Sequence, residues 1–250
     1  MNIGNLLVKL FGHIATVFFG DPAVFDRYIW LERHLKRGSL RTLDAGSGSG
    51  AFTMYAAKTG NEAVGISFDE KNNKIAEERV HILGLKNIKF ITADLNNLNQ
   101  LSEDLGKFDQ IICFEIIEHI LDDRKLVKNL SNFLKQGGQL LLTTPYKNCP
   151  FWKNTVVSKI ENGDHVRVGY DAQDLNMLFE EADIKLVREN YVSGYISQRL
   201  ILIGQYLSRR INPRLVWALI FPLRLFQFFD SFINKVNSRF MCIAVVGQKQ

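Results

Sequence analysis

A glycine-rich stretch that follows the first strand-like run constrains this chain more than any other feature. Residues 43–50 read LDAGSGSG, after a strand-like run at 40–43 and before a helix-like run at 52–58. Glycine has no Cβ, so the backbone can turn tightly and approach a ligand closely. The N–H groups at the start of a helix attract negative charge. The pattern predicts a cradle for a carboxylate or another anion, with Asp44 placed to receive a cationic group of the same ligand.

A dinucleotide is one alternative ligand for this cradle. Gly46, Gly48 and Ala51 fit the loose pattern G-x-G-x-x-G/A, which is completed by an acidic residue about 20 positions later that binds the ribose. The next strand-like run ends at Ser67, where that acid is missing, and Asp69 equally suits the N-cap of the following helix. A nicotinamide-dependent oxidoreductase therefore remains an alternative, as does a non-catalytic cofactor-binding protein.

Further motifs follow in order along the chain. Ala93-Asp94-Leu95 follows a strand-like run at 88–92, and later segments read FDQIICFE at 108–115, IEHILDD at 117–123, LKQGGQL at 134–140 and EADI at 181–184. Together with the glycine-rich stretch, their order and spacing resemble class I S-adenosylmethionine-dependent methyltransferases. The resemblance covers about residues 38–192 and a last strand at 241–248.

The resemblance implies a set of residues that bind S-adenosylmethionine. Asp44 would pair with the ammonium of the methionine moiety, and the glycine-rich backbone would wrap its carboxylate. Ser67 departs from the family's usual acid, and a hydroxyl bonds a ribose more weakly than a carboxylate does, so Asp69 is an alternative ribose contact. The full predicted cofactor-binding set is Asp44, Gly46, Ser47, Gly48, Gly50, Ser67, Phe68, Asp94, Leu95 and Phe114, with Phe68 on the adenine face and Asp94 at its amine.

Glu115, Glu118 and His119 form an E-x-x-E-H group after a predicted strand. Offsets of three and four would place them on one face if this segment is helical. We favour His119, beside Glu118, as a general base or substrate-orienting group because imidazole titrates near neutrality. The spacing also resembles methyltransferase subfamilies with a divalent-metal site, in which His165 would be a further ligand. A metal is thus an alternative that we do not favour, and a purely structural role is a third reading.

Strand-like and helix-like runs alternate between residues 40 and 192. This predicts an α/β fold, namely a Rossmann-like, seven-stranded, mostly parallel sheet with helices on both faces and a helical insertion before the last strand. The family resemblance implies that the last strand runs antiparallel. We expect a single methyltransferase domain over 1–250, divided into an N-terminal helical cap (1–38), the cofactor-binding core (39–192), the insertion (193–240) and the last strand (241–248).

The insertion is rich in apolar residues and arginines. Residues 215–223 are wholly apolar, and Arg209, Arg210, Arg214 and Arg224 punctuate the segment. The run is too short to span a bilayer, which needs about 20 residues. Two interpretations stay open, a cap packed over the core and an interfacial anchor with arginines at lipid headgroups.

Composition narrows the function further. The formal charge of +5 comes without a dense basic run with interleaved aromatic residues, so nucleic acid is not an expected partner. Three widely spaced cysteines form neither a disulfide framework nor a zinc motif, which suits a reducing cytoplasm. We therefore expect a cytoplasmic enzyme, at the inner face of the membrane if 193–240 is an anchor. It would methylate a small-molecule, glycan or lipid-linked acceptor, most favourably at oxygen. The sequence predicts no oligomeric state.

Overall fold

The computed structural model describes residues 3–230 and 239–250, without the side chains at 102, 103, 213 and 214. The ends of the predicted cap and insertion, at 1–2 and 231–238, lie outside the described residues. The described chain forms one sheet of seven strands. These are β1 (Arg41–Ala45), β2 (Glu62–Ser67), β3 (Ile88–Thr92), β4 (Phe108–Phe114), β5 (Leu134–Pro145), β6 (Ile184–Val192) and β7 (Cys242–Lys249).

Helices connect the strands and extend from both ends of the core. The α-helices are α1 (Ile3–Phe11), α2 (Ile14–Phe18), α3 (Pro22–His34), α4 (Ala51–Lys58), α5 (Glu70–Leu83), α6 (Ser102–Leu105), α7 (Asp123–Phe133), α8 (Ala172–Glu180), α9 (Tyr195–Ser208) and α10 (Pro213–Ile220). Short 3₁₀ helices lie at Leu95–Leu101, Ile117–His119, Pro150–Trp152 and Phe221–Phe229.

The sheet has the strand order β3-β2-β1-β4-β5-β7-β6. β7 runs antiparallel to both of its neighbours, and the other paired strands run parallel. The predicted fold, including the reversed last strand, is confirmed. β5 begins at Leu134, which pairs with Phe108 ahead of a register shift.

β4 shows why the core lies on both faces of this sheet. Successive side chains of a strand point to opposite faces. Ile111 and Cys113 pack in the cluster under α7 and α8, whereas Ile112 and Phe114 pack in the cluster under α3 and α4. A strand covered on both sides needs a continuous apolar run rather than an alternating one, and residues 111–114 supply it.

The topology places a crevice beside β1. The chain passes from β1 to β2 and β3 on one side, and then crosses to β4 on the other. At such a reversal of strand order, the connections after neighbouring strands diverge and leave a ligand site at the carboxyl ends. Asp44 near the end of β1 is paired in register with Gly65 of β2 and Ile112 of β4, so the glycine-rich turn after β1 opens into this crevice.

The described part of the insertion is helical, as predicted, and packs against the N-terminal helices. Arg224 is buried, and its guanidinium donates to the backbone carbonyls of Phe18 and Gly20 and to the Gln227 side chain. The interpretation of Arg224 as a headgroup-facing arginine is therefore wrong, because these carbonyls hold its charge inside the protein. Among the described residues, no helix combines the length and apolar character needed to cross a bilayer.

Candidate active site

A cavity of about 650 Å³ lies at the carboxyl ends of β1 to β4. That volume is in the range of small-molecule and cofactor sites. Its walls come from four consecutive strand ends and from one later loop, so the fold alone brings these distant segments together. The lining residues are Gly46, Gly48, Ile66, Ser67, Phe68, Asn72, Ala93, Asp94, Leu95, Asn96, Glu115, Ile116, His119, Ile120, Glu161, Asn162 and Gly163.

The glycine turn, residues 44–50, forms one wall of this cavity. Gly46, Gly48 and Gly50 all have positive φ, which glycine adopts without strain. A Cβ on Gly46 would lie 2.2 Å from Ile116 Cδ1, and one on Gly50 would lie 2.6 Å from the Phe90 ring. The N–H groups of Gly46 and Ser47 donate to the Ile66 carbonyl. These two N–H groups therefore hold the turn against β2 and are already occupied.

Asp44 lies beneath the turn rather than on the cavity wall. Its side chain is buried and accepts a 2.6 Å hydrogen bond from the Thr53 hydroxyl. Burial raises the pKa of Asp44 to about 7, although the hydrogen bonds from Thr53 oppose the rise. Ser47 is also buried, and its Oγ lacks a hydrogen-bond partner. Both groups offer acceptor oxygens next to the turn, which fits the polar end of an amino-acid ligand.

The residues after β2 divide between the cavity and helix α5. Phe68 is 80% exposed, so it is not a core residue, and it lines the cavity. The Ser67 hydroxyl also lines the cavity and accepts from the Asp69 N–H at 3.2 Å. Asp69 Oδ1 caps α5 by accepting from the N–H groups of Lys71 and Asn72. Of the two candidates for a ribose contact, Ser67 therefore lines the cavity, whereas Asp69 is not among the lining residues and caps α5.

Two of the three remaining predicted cofactor contacts reach the cavity. Asp94 and Leu95 line it, and Asp94 Oδ1 accepts from the Asn96 N–H at 2.9 Å. Phe114 instead packs between Trp30 and Phe52, with ring centroids 5.8 and 5.0 Å away. It belongs to the core on the α3 face and is not among the cavity-lining residues. Strand alternation explains this, because Phe114 and Glu115 point to different sides.

Glu115 joins the cavity to the N-terminal helices. It is a non-glycine residue with φ of +54°, a left-handed conformation that costs conformational energy. Its carboxylate forms a 3.1 Å ion pair with Arg27 of α3, and it accepts a 2.9 Å hydrogen bond from the Thr143 hydroxyl. Arg27 is not predictable from the sequence, because nothing in the helical pattern of α3 marks a residue that reaches across to a strand end.

Glu118, His119 and His165 form a cluster that the sequence suggested but could not assemble. Residues 117–119 form a single 3₁₀ turn, so Glu115 does not share a helix face with Glu118 and His119. One ligand atom from each of Glu118, His119 and His165 lies within 4.8 Å of the others. Glu118 Oε1 and His165 Nδ1 are buried without hydrogen-bond partners. Such orphaned atoms favour a cation or a proton-bearing group at this point.

The protonation of this cluster follows from its surroundings. Burial, with the nearby Glu115 carboxylate as a second cause, raises the pKa of Glu118 well above its usual value. Burial, reinforced by the neighbouring His119, lowers the pKa of His165. His119 Nδ1 lies 3.1 Å from the Asp164 carbonyl, which can only accept, so Nδ1 carries the hydrogen. Nε2 of a neutral His119 therefore keeps a free lone pair, 3.9 Å from Glu118 Oε1.

The loop at 158–167 closes one side of the cavity. Glu161 accepts from the Leu121 N–H and from the Asn96 amide, both at 2.6 Å. The Val166 N–H donates to the Glu118 carbonyl at 2.9 Å, which anchors the loop beside the cluster. His165 was predicted from the sequence, but Glu161, Asn162 and Gly163 were not. The sequence of a polar, glycine-containing loop does not indicate which strand end the loop will contact.

The comparisons with known proteins agree with this geometry. A family model described as a methyltransferase domain matches residues 36–185. The ubiquinone biosynthesis O-methyltransferase of Coxiella burnetii is 28% identical over 131 residues, 52% of this chain and 54% of that protein. The enzyme of the same name from Chromobacterium violaceum is 25% identical over 164 residues, which cover 62% and 69%. The chain thus spans about half the length of the first curated relatives that it matches.

Solved structures share the fold at low identity. Coclaurine N-methyltransferase bound to N-methylheliamine and SAH has a TM-score of 0.59 and 18% identity, over 95% of this chain and 73% of that one. The [4+2]-cyclase SpnF has a TM-score of 0.59 and 17% identity, over 89% and 78%. Since one of these proteins is a cyclase, the shared fold does not by itself fix a reaction. The family model covers more than half of the chain, and the chain therefore belongs to the class I S-adenosylmethionine-dependent methyltransferases.

Proposed function

We propose that the chain transfers the methyl group of S-adenosylmethionine to an oxygen atom of a small-molecule acceptor. The observation that carries this proposal is the free lone pair on His119 Nε2 in the same cavity as the glycine turn. A group that can take a proton, next to a site for the methyl donor, is what methylation of a hydroxyl requires. The curated relatives named as O-methyltransferases support oxygen as the acceptor atom.

The residues of the cavity fit S-adenosylmethionine. The methionine end would lie at the glycine turn above Asp44, the ribose at Ser67, and the adenine between Phe68, Asp94 and Leu95. When bound, this cofactor supplies a methyl group already activated by its sulfonium, so the protein's main task is alignment. Phe114 contributes indirectly in this arrangement, by packing under the end of β4.

His119 would take the acceptor's proton. The acceptor oxygen attacks the methyl carbon while the carbon–sulfur bond breaks, and Nε2 of His119 accepts the hydroxyl proton. The Asp164 carbonyl holds the ring in the required tautomer, at 3.1 Å from Nδ1. The Glu118 carboxyl lies 3.9 Å from Nε2, and the positive charge of the resulting imidazolium would favour its ionised form against the effect of burial on its pKa.

A divalent cation is a second candidate for the same cluster. Glu118, His119 and His165 offer one oxygen and two nitrogen ligands, and the orphaned atoms on Glu118 and His165 favour it. Glu115 is held by Arg27, so three protein ligands rather than four are in place. A cation would use the same His119 lone pair as the proton does, so the two roles exclude each other. The cation would then act as a Lewis acid on the acceptor oxygen.

The acceptor class and the cellular position extend the proposal. Exposed apolar residues in 193–240 favour contact with lipid, and hence a lipid-linked or glycan acceptor at the inner face of the membrane. The predicted division of the chain into cap, core, insertion and last strand stays a prediction, and no oligomeric state is proposed.

Binding and turnover measurements test this function. Calorimetry should give micromolar binding of S-adenosylmethionine or its demethylated product and none of NAD. A panel of phenolic, quinol and glycan acceptors should then identify one that releases the demethylated product. Loss of turnover on chelation, with recovery on addition of Mg²⁺, Mn²⁺ or Zn²⁺, would favour the cation. Binding of NAD would favour the oxidoreductase, and cofactor binding without turnover on any acceptor would favour a non-catalytic protein.

A further inference from the structure

The 3₁₀ helix Phe221–Phe229 and the next residue, Asp230, are inverted, with polar side chains inside and apolar side chains outside. The buried residues are Arg224, Gln227 and Asp230. They recur every three positions, which is the period of a 3₁₀ helix. The neighbouring apolar side chains are 41–61% exposed: Leu223, Leu225, Phe226, Phe228 and Phe229. Burial of a few apolar residues would normally set the orientation of such a segment, so this face is built for an apolar environment outside the protein.

Hydrogen bonds from all three buried polar residues hold the segment in this orientation. Arg224 binds the carbonyls of Phe18 and Gly20. Gln227 donates to the Pro22 carbonyl and to the Ser197 hydroxyl. Asp230 accepts from the N–H groups of Ile196 and Ser197 at the start of α9. Rotation of the segment to hide its phenylalanines would break these bonds and leave buried polar groups unpaired.

Helix α1 adds a second exposed apolar face. It buries Asn5 and Val8, whereas Ile3, Leu6, Leu10 and Phe11 are 42–65% exposed. Aromatic contacts join it to the insertion, because Phe19 lies 5.4 Å from Phe11, 5.3 Å from Trp217 and 5.3 Å from Phe221. The Trp217 Nε1–H also donates to the Phe19 carbonyl at 3.1 Å. We call the exposed apolar residues of α1, α10 and Phe221–Phe229 the docking surface.

The net positive charge of the chain comes from the segments that carry this surface. Residues 1–20 and 193–229 contain six of the 31 lysines and arginines and none of the 26 acidic residues. The rest of the chain, with 25 basic and 26 acidic residues, is close to neutral. Four of the six cations, Lys9, Arg199, Arg209 and Arg210, are exposed. The whole positive excess of the protein therefore accompanies its exposed apolar faces.

We propose that the docking surface binds an anionic lipid bilayer. Exposed leucine and phenylalanine side chains would enter the acyl boundary, and the neighbouring cations would meet anionic headgroups. A second copy of the chain fits poorly, since two such surfaces would bring like charges together without any carboxylate to pair them. The inference rests on the proposed contact with lipid and extends it, because α1 is as much a part of the surface as residues 193–240.

The docking surface is joined to helix α4, which follows the glycine turn. His13, between α1 and α2, lies with Nε2 2.8 Å from the carbonyl of Ala51, the first residue of α4. Burial lowers the pKa of His13 to about 4, so this contact is made by the neutral ring at physiological pH. A bilayer bound at α1 would therefore lie at a fixed position relative to the cavity, as a lipid-linked acceptor needs.

Co-sedimentation with vesicles tests the inference on the full chain. Vesicles of phosphatidylcholine with phosphatidylglycerol should bind the wild type, phosphatidylcholine alone should bind it at least tenfold more weakly, and added salt should weaken binding. The double variants Ile3→Ser with Leu10→Ser, and Phe226→Ser with Phe229→Ser, should each lose most of the binding. Arg209→Gln and Arg210→Gln should each reduce affinity about fivefold. The matched controls, Met177→Ser with Val187→Ser and Arg188→Gln, should bind as the wild type does.

Three outcomes would overturn the inference. They are no binding of the wild type to the anionic vesicles, unchanged binding of the Ile3 and Leu10 variant, and a dimer in light scattering that the same substitutions disperse. Melting temperature and calorimetric binding of S-adenosylhomocysteine, measured on each variant, show that it is folded. They also separate the two proposals, since a chain that binds S-adenosylhomocysteine but no vesicles keeps its proposed function and loses only the docking surface.

Discussion

Strand β4 and the 3₁₀ helix Phe221–Phe229 are both rich in apolar residues, yet they have opposite relations to the core. In β4, residues 111–114 are buried because helices cover both faces of the sheet. In the 3₁₀ helix, the polar residues are buried and the phenylalanines face outward. Hydrophobicity alone therefore does not say which side of an element meets the core. The positions of the polar residues do, and we propose different tasks for the two regions, catalysis at the end of β4 and contact with lipid at the 3₁₀ helix.

Replacement of His119 should have the largest effect and should act on one region alone. His119→Ala should lower turnover about 10²–10⁴-fold, because it removes the proton acceptor at the end of β4. Cofactor affinity and vesicle binding should stay as in the wild type. The exposed His81 of α5 provides a matched control, and His81→Ala should change none of these quantities. Full turnover of His119→Ala would exclude both the base and the cation role.

Replacement of Arg224 tests what holds the 3₁₀ helix with its polar residues inside. Arg224→Ala removes the charge-assisted hydrogen bonds to the carbonyls of Phe18 and Gly20, which should cost about 3 kcal/mol of unfolding free energy. Arg210→Ala, at an exposed arginine nearby in the chain, should cost less than about 0.5 kcal/mol. Urea denaturation of both variants measures the difference. Equal stability of the two would show that the inverted orientation of the 3₁₀ helix is not held by Arg224.

Many residues of the cavity at the carboxyl ends of β1 to β4 were predictable from sequence, whereas the contacts of this site with the rest of the chain were not. The glycine turn, Ser67, Asp94 and His119 lie near strand ends, where local pattern and topology together fix the position. Arg27, Thr53 and Glu161 reach the site from other elements, and no local pattern encodes such contacts. Phe114 belongs to the cofactor-binding set that the family resemblance implies, but alternation along β4 turns its ring into the core.

The insertion was less predictable for a related physical reason. Its helical character followed from composition, and both a cap and an anchor were consistent with an apolar run. The structure shows the contacts of a cap, since Arg224 and Gln227 bind carbonyls at the end of α2 and in α3, whereas the exposed apolar residues leave the anchor as a proposal. A spacing of three between Arg224, Gln227 and Asp230 was visible in the sequence. It carries meaning only once the segment is known to be a 3₁₀ helix, because in an α-helix these residues would drift around the axis.

Asp44 should show a trade between stability and ligand binding. A folded-state pKa of about 7, above the ordinary value, means that the folded protein holds a proton that the unfolded chain releases. Wild-type stability should therefore fall as pH rises through the window from about 4 to about 7. Asp44→Asn removes this dependence. As pH rises from 5 to 8 without ligand, the unfolding free energy of the variant should therefore increase by about 2–3 kcal/mol relative to that of the wild type.

Cofactor affinity should move in the opposite direction. Asp44→Asn should weaken binding of S-adenosylmethionine by about 1.5–3 kcal/mol, because an amide cannot pair with the ammonium as a carboxylate does. Thermal denaturation across pH and calorimetry on the same variant measure both effects. An unchanged affinity would remove Asp44 from the site, and an unchanged pH dependence would show that Asp44 is ionised throughout.

The smallest effect on stability should come from replacing the exposed phenylalanines of the 3₁₀ helix. Phe226 and Phe229 are 55% and 59% exposed, so replacing each by serine removes little buried area and should change the unfolding free energy by less than about 0.5 kcal/mol. A buried phenylalanine such as Phe108 should instead cost about 3–5 kcal/mol when truncated to alanine. Melting temperatures of Phe226→Ser, Phe229→Ser and Phe108→Ala test this directly. A large loss of unfolding free energy at Phe226 or Phe229 would mean that these rings are covered within the protein. The 3₁₀ helix would then be an ordinary cap, with its apolar residues buried as those of β4 are.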